Sequence, residues 1–389
     1  HVAGTNGKGS VIAYLYTTLS EAGYRVGRYI SPSVYSYREK MEVAGSAVSR
    51  EQFAGYVTRV AAAIKEMTTE GLAHPTPFEI ETAVAFLFFA EEKCDLVILE
   101  VGMGGDLDAT NIIKNTVLAV LVPISMDHQA FLGNTLAEIT QKKAGIIKPG
   151  CSVVTVGQRP ETMEVIREVC REKGADLTET DLSSAKAVKE DFAGQTLEYR
   201  GETYELSLAG SYQTENAALA LDALEVLNHK GYPTTVEQRK KGLEETKWNG
   251  RLTIIHRNPL FIVDGAHNPA AADMLEDSVR KYFKGRNMYF IMGVFRDKDY
   301  SYIIRKLCPY AEQIVTIETP DNPRALPAQE LAEAVRECNP HVQAAENIQD
   351  AVNKVFAMAD REDVILSFGS LSFIGEITTI VKNREEKNL

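Results

Sequence analysis

The first 160 residues alternate between short apolar runs and longer segments in which apolar residues recur every three or four positions. The short runs are typical of buried strands in a parallel sheet, and the longer segments of helices with one buried face. The pattern predicts strands at residues 26–30, 95–99, 117–124 and 151–156, and helices at 11–22, 50–70 and 78–92. Alternating strands and helices indicate an α/β fold around a mostly parallel sheet.

A different pattern follows between about residues 185 and 208, where polar and apolar residues alternate and a turn is predicted at Gly201. This alternation is typical of a small antiparallel hairpin. Helices are predicted at 213–227 and 236–246, and strands recur at 260–264, 288–292, 313–317 and 363–368 with helical segments between them. We therefore expect two domains, residues 1–249 and a smaller doubly wound unit at 250–389.

Composition narrows the class of protein. The 389 residues are 44% hydrophobic and carry a net charge of −12, which argues against a nucleic-acid partner. No apolar run is long enough to span a bilayer, and the five scattered cysteines fit reduced thiols in a cytoplasmic protein. The chain begins without Met, on the strand that leads into the first motif, so we expect residues upstream of it to be missing.

Candidate chemistry begins in residues 1–10, where an apolar run enters a glycine-rich turn that carries Lys8 and Ser10. Backbone N–H groups of such a turn, a helix N-terminus and a lysine together bind phosphate. The general phosphate-loop pattern places Ser or Thr directly after the lysine, and here Gly9 intervenes. A plain strand-to-helix turn is the alternative.

Further polar residues follow the ends of predicted strands, where ligands bind in open α/β sheets. Glu100 follows one strand and could hold Mg²⁺, or could cap a turn. His128 follows the next strand as a second candidate ligand, or as an ordinary polar residue. Adjacent lysines such as Lys142 and Lys143 usually face water, and the Asp264–Asn268 segment could form a polar pocket floor.

Taken together, these motifs resemble those of folylpolyglutamate synthase/dihydrofolate synthase, a branch of the Mur ligase superfamily. The motifs are HVAGTNGKGS at residues 1–10, EVGMGGDLDATN at 100–111, DHQAFLG at 127–133, KAGI at 143–146 and DGAHNP at 264–269. The interposed Gly9 is this branch's form of the phosphate loop.

The resemblance implies a P-loop-type ATPase domain followed by a Rossmann-like domain. It also implies an ATP-dependent amide ligase: ATP phosphorylates a folate carboxylate, L-glutamate attacks the acyl phosphate, and ADP and phosphate leave. ATP and two Mg²⁺ ions are the implied cofactors, in a cytoplasmic monomer that acts on small molecules without a nucleic-acid or membrane partner. Whether dihydropteroate is accepted as well as tetrahydrofolate stays open.

The resemblance also assigns roles to individual residues. ATP would contact Thr5, Asn6, Gly7, Lys8, Gly9, Ser10, Asn216, Arg251 and Asp264. Magnesium would be bound by Ser10, Ser31, Glu100, His128 and Lys143, the last as a carbamate. The implied catalytic residues are Lys8, Lys143 and His267, and pterin contacts would come from Thr76, Pro77, Phe78, Glu79, Leu107, Asp108 and Ala109. Because a carbamate forms on a neutral amine, we expect Lys142 to lower the pKa of Lys143 by like-charge repulsion.

Two other functions compete with this hypothesis. Another Mur-type ligase could add an amino acid to a cell-wall nucleotide precursor, although the Gly-Lys-Gly-Ser loop and the Leu-Asp-Ala-Thr-Asn stretch speak against it. A nucleotide-binding regulatory module could switch without ligating anything, in which case ADP release would not depend on glutamate or a pterin.

Overall fold

The computed structural model describes residues 1–192 and 194–387, which form two compact units. The first unit comprises His1–Val188, Thr196–Ser207 and Thr214–Thr246, and the second comprises Lys189–Gln195, Leu208–Gln213 and Lys247–Leu389. The chain thus crosses between the units several times before its long C-terminal segment begins. A domain boundary at residue 249 stays a prediction.

The first unit is built on eight strands in two four-stranded sheets. The strands are β1 (Val2–Ala3), β2 (Val26–Tyr29), β3 (Met41–Val43), β4 (Ser46–Ala47), β5 (Leu96–Leu99), β6 (Leu118–Leu121), β7 (Ser152–Val156) and β8 (Asp176–Thr180). One sheet has the order β1-β6-β7-β8 and is parallel throughout. The other has the order β4-β3-β2-β5, with β2 and β5 parallel and the short β3 and β4 added antiparallel.

A parallel bridge between Val2 and Glu100 joins these two sheets. The N–H of Val101 donates to the carbonyl of Val2 at 3.0 Å, so β1 lies between β5 and β6. The carboxyl ends of β5 and β6 therefore flank the loop that follows β1. Such a position between neighbouring strand ends is where open α/β sheets bind ligands.

The helices of the first unit cover the faces of these sheets. They are α1 (Lys8–Glu21), α2 (Arg50–Thr69), α3 (Pro77–Glu91), α4 (Gln129–Leu132), α5 (Leu136–Ala144), α6 (Pro160–Lys173), α7 (Gln213–His229) and α8 (Val236–Glu245). The end of α5 and one face of α6 bury Ala144, Ile166 and Cys170 against Leu121 and Val153 of the sheet. This packing fixes α5 beside the carboxyl edge of β6.

The predicted hairpin is confirmed, and it belongs to a third sheet. Strands β9 (Lys186–Asp191), β10 (Gly194–Tyr199) and β11 (Glu202–Leu206) are ordered β11-β10-β9. Arg200 and Gly201 form the two-residue turn between β10 and β11, with φ of 50° and 84°. Positive φ at both central residues is the geometry of a tight turn between antiparallel strands.

The second unit contains a six-stranded sheet in the order β12-β13-β17-β14-β15-β16. The strands are β12 (Thr253–Arg257), β13 (Leu260–Val263), β14 (Met288–Met292), β15 (Gln313–Thr316), β16 (Val342–Ala344) and β17 (Val364–Phe368). The helices are α9 (Pro269–Tyr282), α10 (Tyr300–Leu307), α11 (Ala328–Arg336), α12 (Ile348–Met358) and α13 (Ile374–Lys387). Only β12 runs antiparallel to its neighbour. The predicted α/β class is confirmed.

Nowhere in residues 1–192 and 194–387 is there a helix with the length and apolar character that crossing a membrane requires.

Helix α5 begins with a reciprocal cap that can be tested. The Thr135 hydroxyl accepts a hydrogen bond from Glu138 N, and the Glu138 carboxylate accepts one from Thr135 N. Replacing an N-cap threonine by alanine costs about 1 kcal/mol, so we expect Thr135→Ala to lower the free energy of unfolding by about that amount in urea titrations.

The matched control for this substitution is Thr58→Ala, an exposed position in the middle of α2 whose hydroxyl only bonds back to Ala54 O. Alanine is the better helix former there, so this variant should gain a few tenths of a kcal/mol. Equal effects of the two substitutions would contradict the capping role of Thr135.

Candidate active site

The loop after β1 is held against the carboxyl end of β6. The N–H of Thr5 donates to Pro123 O at 2.9 Å, and the Thr5 hydroxyl accepts a hydrogen bond from Ser125 N at 3.0 Å. At Gly4, where φ is 142°, a Cβ would lie 2.2 Å from a Val122 methyl carbon. At Gly7, where φ is 99°, a Cβ would lie 2.6 Å from the side-chain oxygen of Asn216. Both positions therefore require glycine, and the loop has one well-defined path.

Helix α1 begins directly after this loop, with Gly7 as its left-handed N-cap. Within the described residues no side chain caps this end of the helix, and its first turn contains no acidic residue. The N–H groups of the first turn and the positive end of the helix dipole favour an anion at this position. The geometry fits the phosphate binding predicted for Thr5–Ser10.

Two predicted residues, Ser31 and Glu100, follow the ends of β2 and β5 and contact each other. The Lys8 Nζ lies 3.9 Å from Glu100 Oε1, and Glu100 Oε2 accepts a hydrogen bond from Ser31 N at 3.1 Å. Glu100 is only 6% exposed. A buried carboxylate beside a lysine is suited to binding cations and phosphate together, because the carboxylate attracts cations and the lysine attracts phosphate oxygens.

Lys143 reaches the same loop from the last turn of α5. Its Nζ donates to Gly4 O at 3.0 Å, and the residue is 5% exposed. Burial lowers the pKa of Lys143 to about 7, and the positive charge of Lys8 acts in the same direction. Asp127 and Asp108 raise the pKa of Lys143 and offset part of the shift. A substantial fraction of this amine is therefore neutral near pH 7.

The role expected for Lys142 is wrong. Its Nζ is paired with Asp106 Oδ2 at 3.0 Å on the surface, and its side chain is 42% exposed. Neighbouring residues of a helix point in different directions, so Lys142 does not supply the repulsion that lowers the pKa of Lys143. That repulsion comes from Lys8 instead.

His128 lies at the start of α4 in a left-handed conformation, with φ of 50°. Its Nε2 is 3.9 Å from Asp127 Oδ2. Across residues 1–192 and 194–387, no three His, Cys, Asp or Glu side chains are arranged to hold a metal ion. Metal binding by His128 stays a prediction.

The predicted pterin-contacting residues fall into two groups. Thr76 and Glu79 form a capping box at the start of α3, with Pro77 in its first turn. Phe78 stacks against Tyr29 with ring centroids 6.0 Å apart. In the second group, Leu107 is 88% exposed, whereas the Asp108 carboxylate accepts hydrogen bonds from Met103 N and Thr110 N, and Ala109 begins a 3₁₀ turn. Thr76, Pro77, Glu79 and Leu107 are exposed, whereas Asp108 is buried.

Arg251, Asp264 and His267 lie together in the second unit, at the carboxyl end of β13. The Asp264 carboxylate accepts hydrogen bonds from Leu252 N at 2.9 Å and Ala266 N at 2.8 Å. Burial raises the pKa of Asp264, and the Arg251 guanidinium opposes that rise. His267 Nδ1 is 2.7 Å from Gly265 O. Arg251 thus acts electrostatically on Asp264, and a pocket floor formed by the Asp264–Asn268 segment stays a prediction.

Two residues near the phosphate loop were given no role of their own in advance, although Asp127 belongs to the DHQAFLG motif. Ser125 exchanges hydrogen bonds with Thr5, and Asp127 acts electrostatically on Lys143. Both residues follow the end of β6, so a polar residue just after a strand was the sequence feature that could have identified them.

Comparison with known proteins assigns this fold and site to a class. The family model named Mur ligase middle domain matches residues 2–224, and the model named Mur ligase, glutamate ligase domain matches residues 250–371. The chain therefore belongs to the Mur ligase family.

Individual relatives narrow the class to one branch. The dihydrofolate synthase/folylpolyglutamate synthase of Bacillus subtilis is 35% identical over 98% of this chain and 90% of its own length. The structure of Mycobacterium tuberculosis folylpolyglutamate synthase complexed with ADP and AMPPCP has a TM-score of 0.88, with 31% identity over 98% of this chain and 90% of that one. Escherichia coli FolC in complex with DHPP and ADP has a TM-score of 0.85, with 30% identity over 99% and 88% of the two chains. Within the Mur ligases, the chain lies in the folylpolyglutamate synthase/dihydrofolate synthase branch.

The pKa of Lys143 predicts how stability depends on pH. Between pH 7 and about 10, the unfolded chain binds a proton on Lys143 that the folded chain has mostly released. Stability contributed by this group should therefore rise with pH, by about 1–2 kcal/mol between pH 7 and 9 in bicarbonate-free buffer. We expect Lys143→Met to remove this rise in urea unfolding titrations.

Lys142→Met is the control, because that exposed lysine should leave the rise unchanged. An identical dependence on pH in the Lys143→Met variant would contradict the burial of a neutral amine at this position.

Proposed function

We propose that this chain is an ATP-dependent ligase that joins L-glutamate to the carboxylate of a folate, with release of ADP and phosphate. The position of Lys143 carries this proposal. Its buried amine lies 3.0 Å from the phosphate-loop carbonyl of Gly4, beside Lys8 and close to two carboxylates. The names of the relatives, which include folylpolyglutamate synthase and dihydrofolate synthase, supply the substrate class.

In this proposal the phosphate loop and Lys8 bind the phosphates of ATP. The N–H groups at the start of α1 would face the phosphate oxygens, and Lys8 would neutralise part of their charge. Fixed donors of this kind stabilise the charge that builds up on a transferring phosphoryl group. The folate carboxylate would attack the terminal phosphorus, so a carboxyl–phosphate bond forms as the bond to ADP breaks.

The residues present fit a magnesium site. Mg²⁺ prefers oxygen ligands and commonly uses one or two carboxylates together with phosphate oxygens and water, so a cluster of three acidic residues is not needed. We assign its ligands to Ser10, Ser31, Glu100, His128 and the modified Lys143. When bound, the ions would offset the negative charge of the transferred phosphoryl group.

Lys143 would contribute as a carbamate. Its neutral amine attacks CO₂, a nitrogen–carbon bond forms, and one proton leaves to solvent. The product carries a negative oxygen in place of the neutral amine, so Lys143 would attract the positively charged Lys8. The low pKa of Lys143 supports this step, because only the neutral amine is a nucleophile.

The second reaction step would use the amino group of L-glutamate. It attacks the acyl phosphate carbon, a tetrahedral intermediate forms, and phosphate leaves with its bonding electrons.

We assign ATP contacts to Asn216, Arg251 and Asp264 and a catalytic role to His267. The proposed domains are residues 1–249 and 250–389. The exposed Leu107 would contact the pterin-containing substrate together with the Thr76–Glu79 and Asp108–Ala109 stretches.

Dihydropteroate is the second candidate carboxylate substrate. It is favoured by the Bacillus subtilis relative, whose name includes dihydrofolate synthase. The reaction is proposed for the cytoplasm, in keeping with five cysteines that are all free thiols.

The test is phosphate release in the presence of ATP, Mg²⁺, tetrahydrofolate and L-glutamate. We expect turnover to require all four components and to fall at least about 100-fold in Lys143→Met and Glu100→Gln, because each removes charge from the phosphoryl-transfer site. Lys142→Met is the matched control and should stay within about twofold of the original, because exposed ion pairs contribute little. Dihydropteroate replaces tetrahydrofolate in a parallel assay.

Unchanged turnover in both site variants would overturn the assignment of the site. ADP formation that needs neither glutamate nor a pterin would instead favour a nucleotide-binding regulatory module.

A further inference from the structure

The segment after β5 contacts the last turn of α5 through main-chain atoms. Asp106 N donates to Lys142 O at 2.9 Å. The side-chain amide of Asn111 donates to Asp106 O at 3.0 Å and to Gly145 O at 3.1 Å. We propose that Asn111 is a positioning residue, which holds residues 105–106 against the end of α5 and thereby fixes Lys143 beside the phosphate loop.

The two segments approach each other so closely that side chains are excluded between them. A Cβ on Gly105 would lie 2.8 Å from the carbonyl oxygens of both Lys142 and Lys143. A Cβ on Gly145 would lie 2.4 Å from Asp106 Cβ and 2.5 Å from Asp106 Cα. Glycine at both positions lets the main chains touch, so the path of one segment constrains the other.

The contact acts on the part of α5 that carries Lys143. The last carbonyl groups of a helix lack partners within the helix and leave its final turn free to fray. Here Lys142 O accepts hydrogen bonds from Asp106 N and Gly145 N. Because the Lys143 side chain starts in this turn and ends at Gly4 O, movement of the turn would move the amine away from the phosphate loop.

Asn111 is suited to this role by its chemistry. Both of its neighbours are carbonyl oxygens, so only the amide nitrogen can face them, and it has two N–H donors to share. The surface ion pair between Lys142 and Asp106 joins the same two segments, but its side chains are 42% and 34% exposed. An exposed ion pair of this kind contributes little to holding the two segments together. The hydrogen bonds of the Asn111 amide constrain the two segments more strongly.

This role of Asn111 rests on the proposed function in one respect, which is that Lys143 takes part in ligation. In the assay described above, we expect Asn111→Ala and Asn111→Asp to lower kcat by about 10–100-fold, because small displacements of a reacting group have effects of that size. KM for ATP should stay within about twofold, because the Asn111 amide bonds to Asp106 O and Gly145 O and not to an atom of the phosphate loop in the described residues. The aspartate variant keeps the shape of Asn111 but cannot donate.

Asn115→Ala is the matched control. Asn115 lies four residues after Asn111 and is exposed. Within residues 1–192 and 194–387 its side chain makes no hydrogen bond. This variant should keep the original kcat and KM. A rise in KM for ATP that parallels the fall in kcat would overturn the proposal, since it would indicate damage to the whole site.

A second readout does not depend on activity. An amine-reactive reagent followed by mass spectrometry measures the labelling rate of Lys143 against that of Lys8. We expect labelling of Lys143 to rise about tenfold in both Asn111 variants, because its turn is released and its amine becomes exposed, while Lys8 is unchanged. The proposal would be overturned if the labelling rates of both lysines rose equally or if neither rate rose. Unfolding of both variants would also overturn it. Failure of wild-type turnover would contradict the proposed function alone, because the labelling contrast still tests the position of Lys143.

Discussion

The contact between Lys143 Nζ and Gly4 O, at 3.0 Å in a buried position, constrains the rest of the site. A protonated lysine is costly to bury without a paired carboxylate, and the charge of Lys8 nearby adds to that cost. The amine therefore lies in a place that favours its neutral form. A neutral lysine next to a phosphate-binding turn can react with CO₂, and the anionic product can bind cations that also bind phosphate.

The order of the strands brings the other groups to this lysine. Since β1 lies between β5 and β6, the loop that follows it is flanked by Glu100 on one side and by the segment around Asp127 on the other. Helix α5 packs on the same sheet and directs Lys143 to that loop. The site thus depends on β1, a strand of only two residues. Its neighbour β5 leads into the Glu100 carboxylate, and the segment after β6 supplies the carbonyl group of Pro123 that holds the loop.

The sequence predicts much of this arrangement, and its failures have physical causes. Long periodic segments such as α2 and buried apolar runs such as β7 were predicted within a few residues, whereas β3, β4 and β16 are too short to show a period. Glycine spacing and strand-end polarity identified Lys8 and Glu100. The burial of Lys143 and the contact of Asn111 with α5 depend on packing between distant segments, which local patterns do not encode.

Carbon-13 NMR of the protein in ¹³C-bicarbonate tests the central claim most directly. A buried neutral Lys143 predicts one carbamate resonance at neutral pH, present in the original chain and in Lys142→Met, and absent from Lys143→Met. A spectrum without a carbamate resonance, or one whose resonance persists in Lys143→Met, would contradict the account.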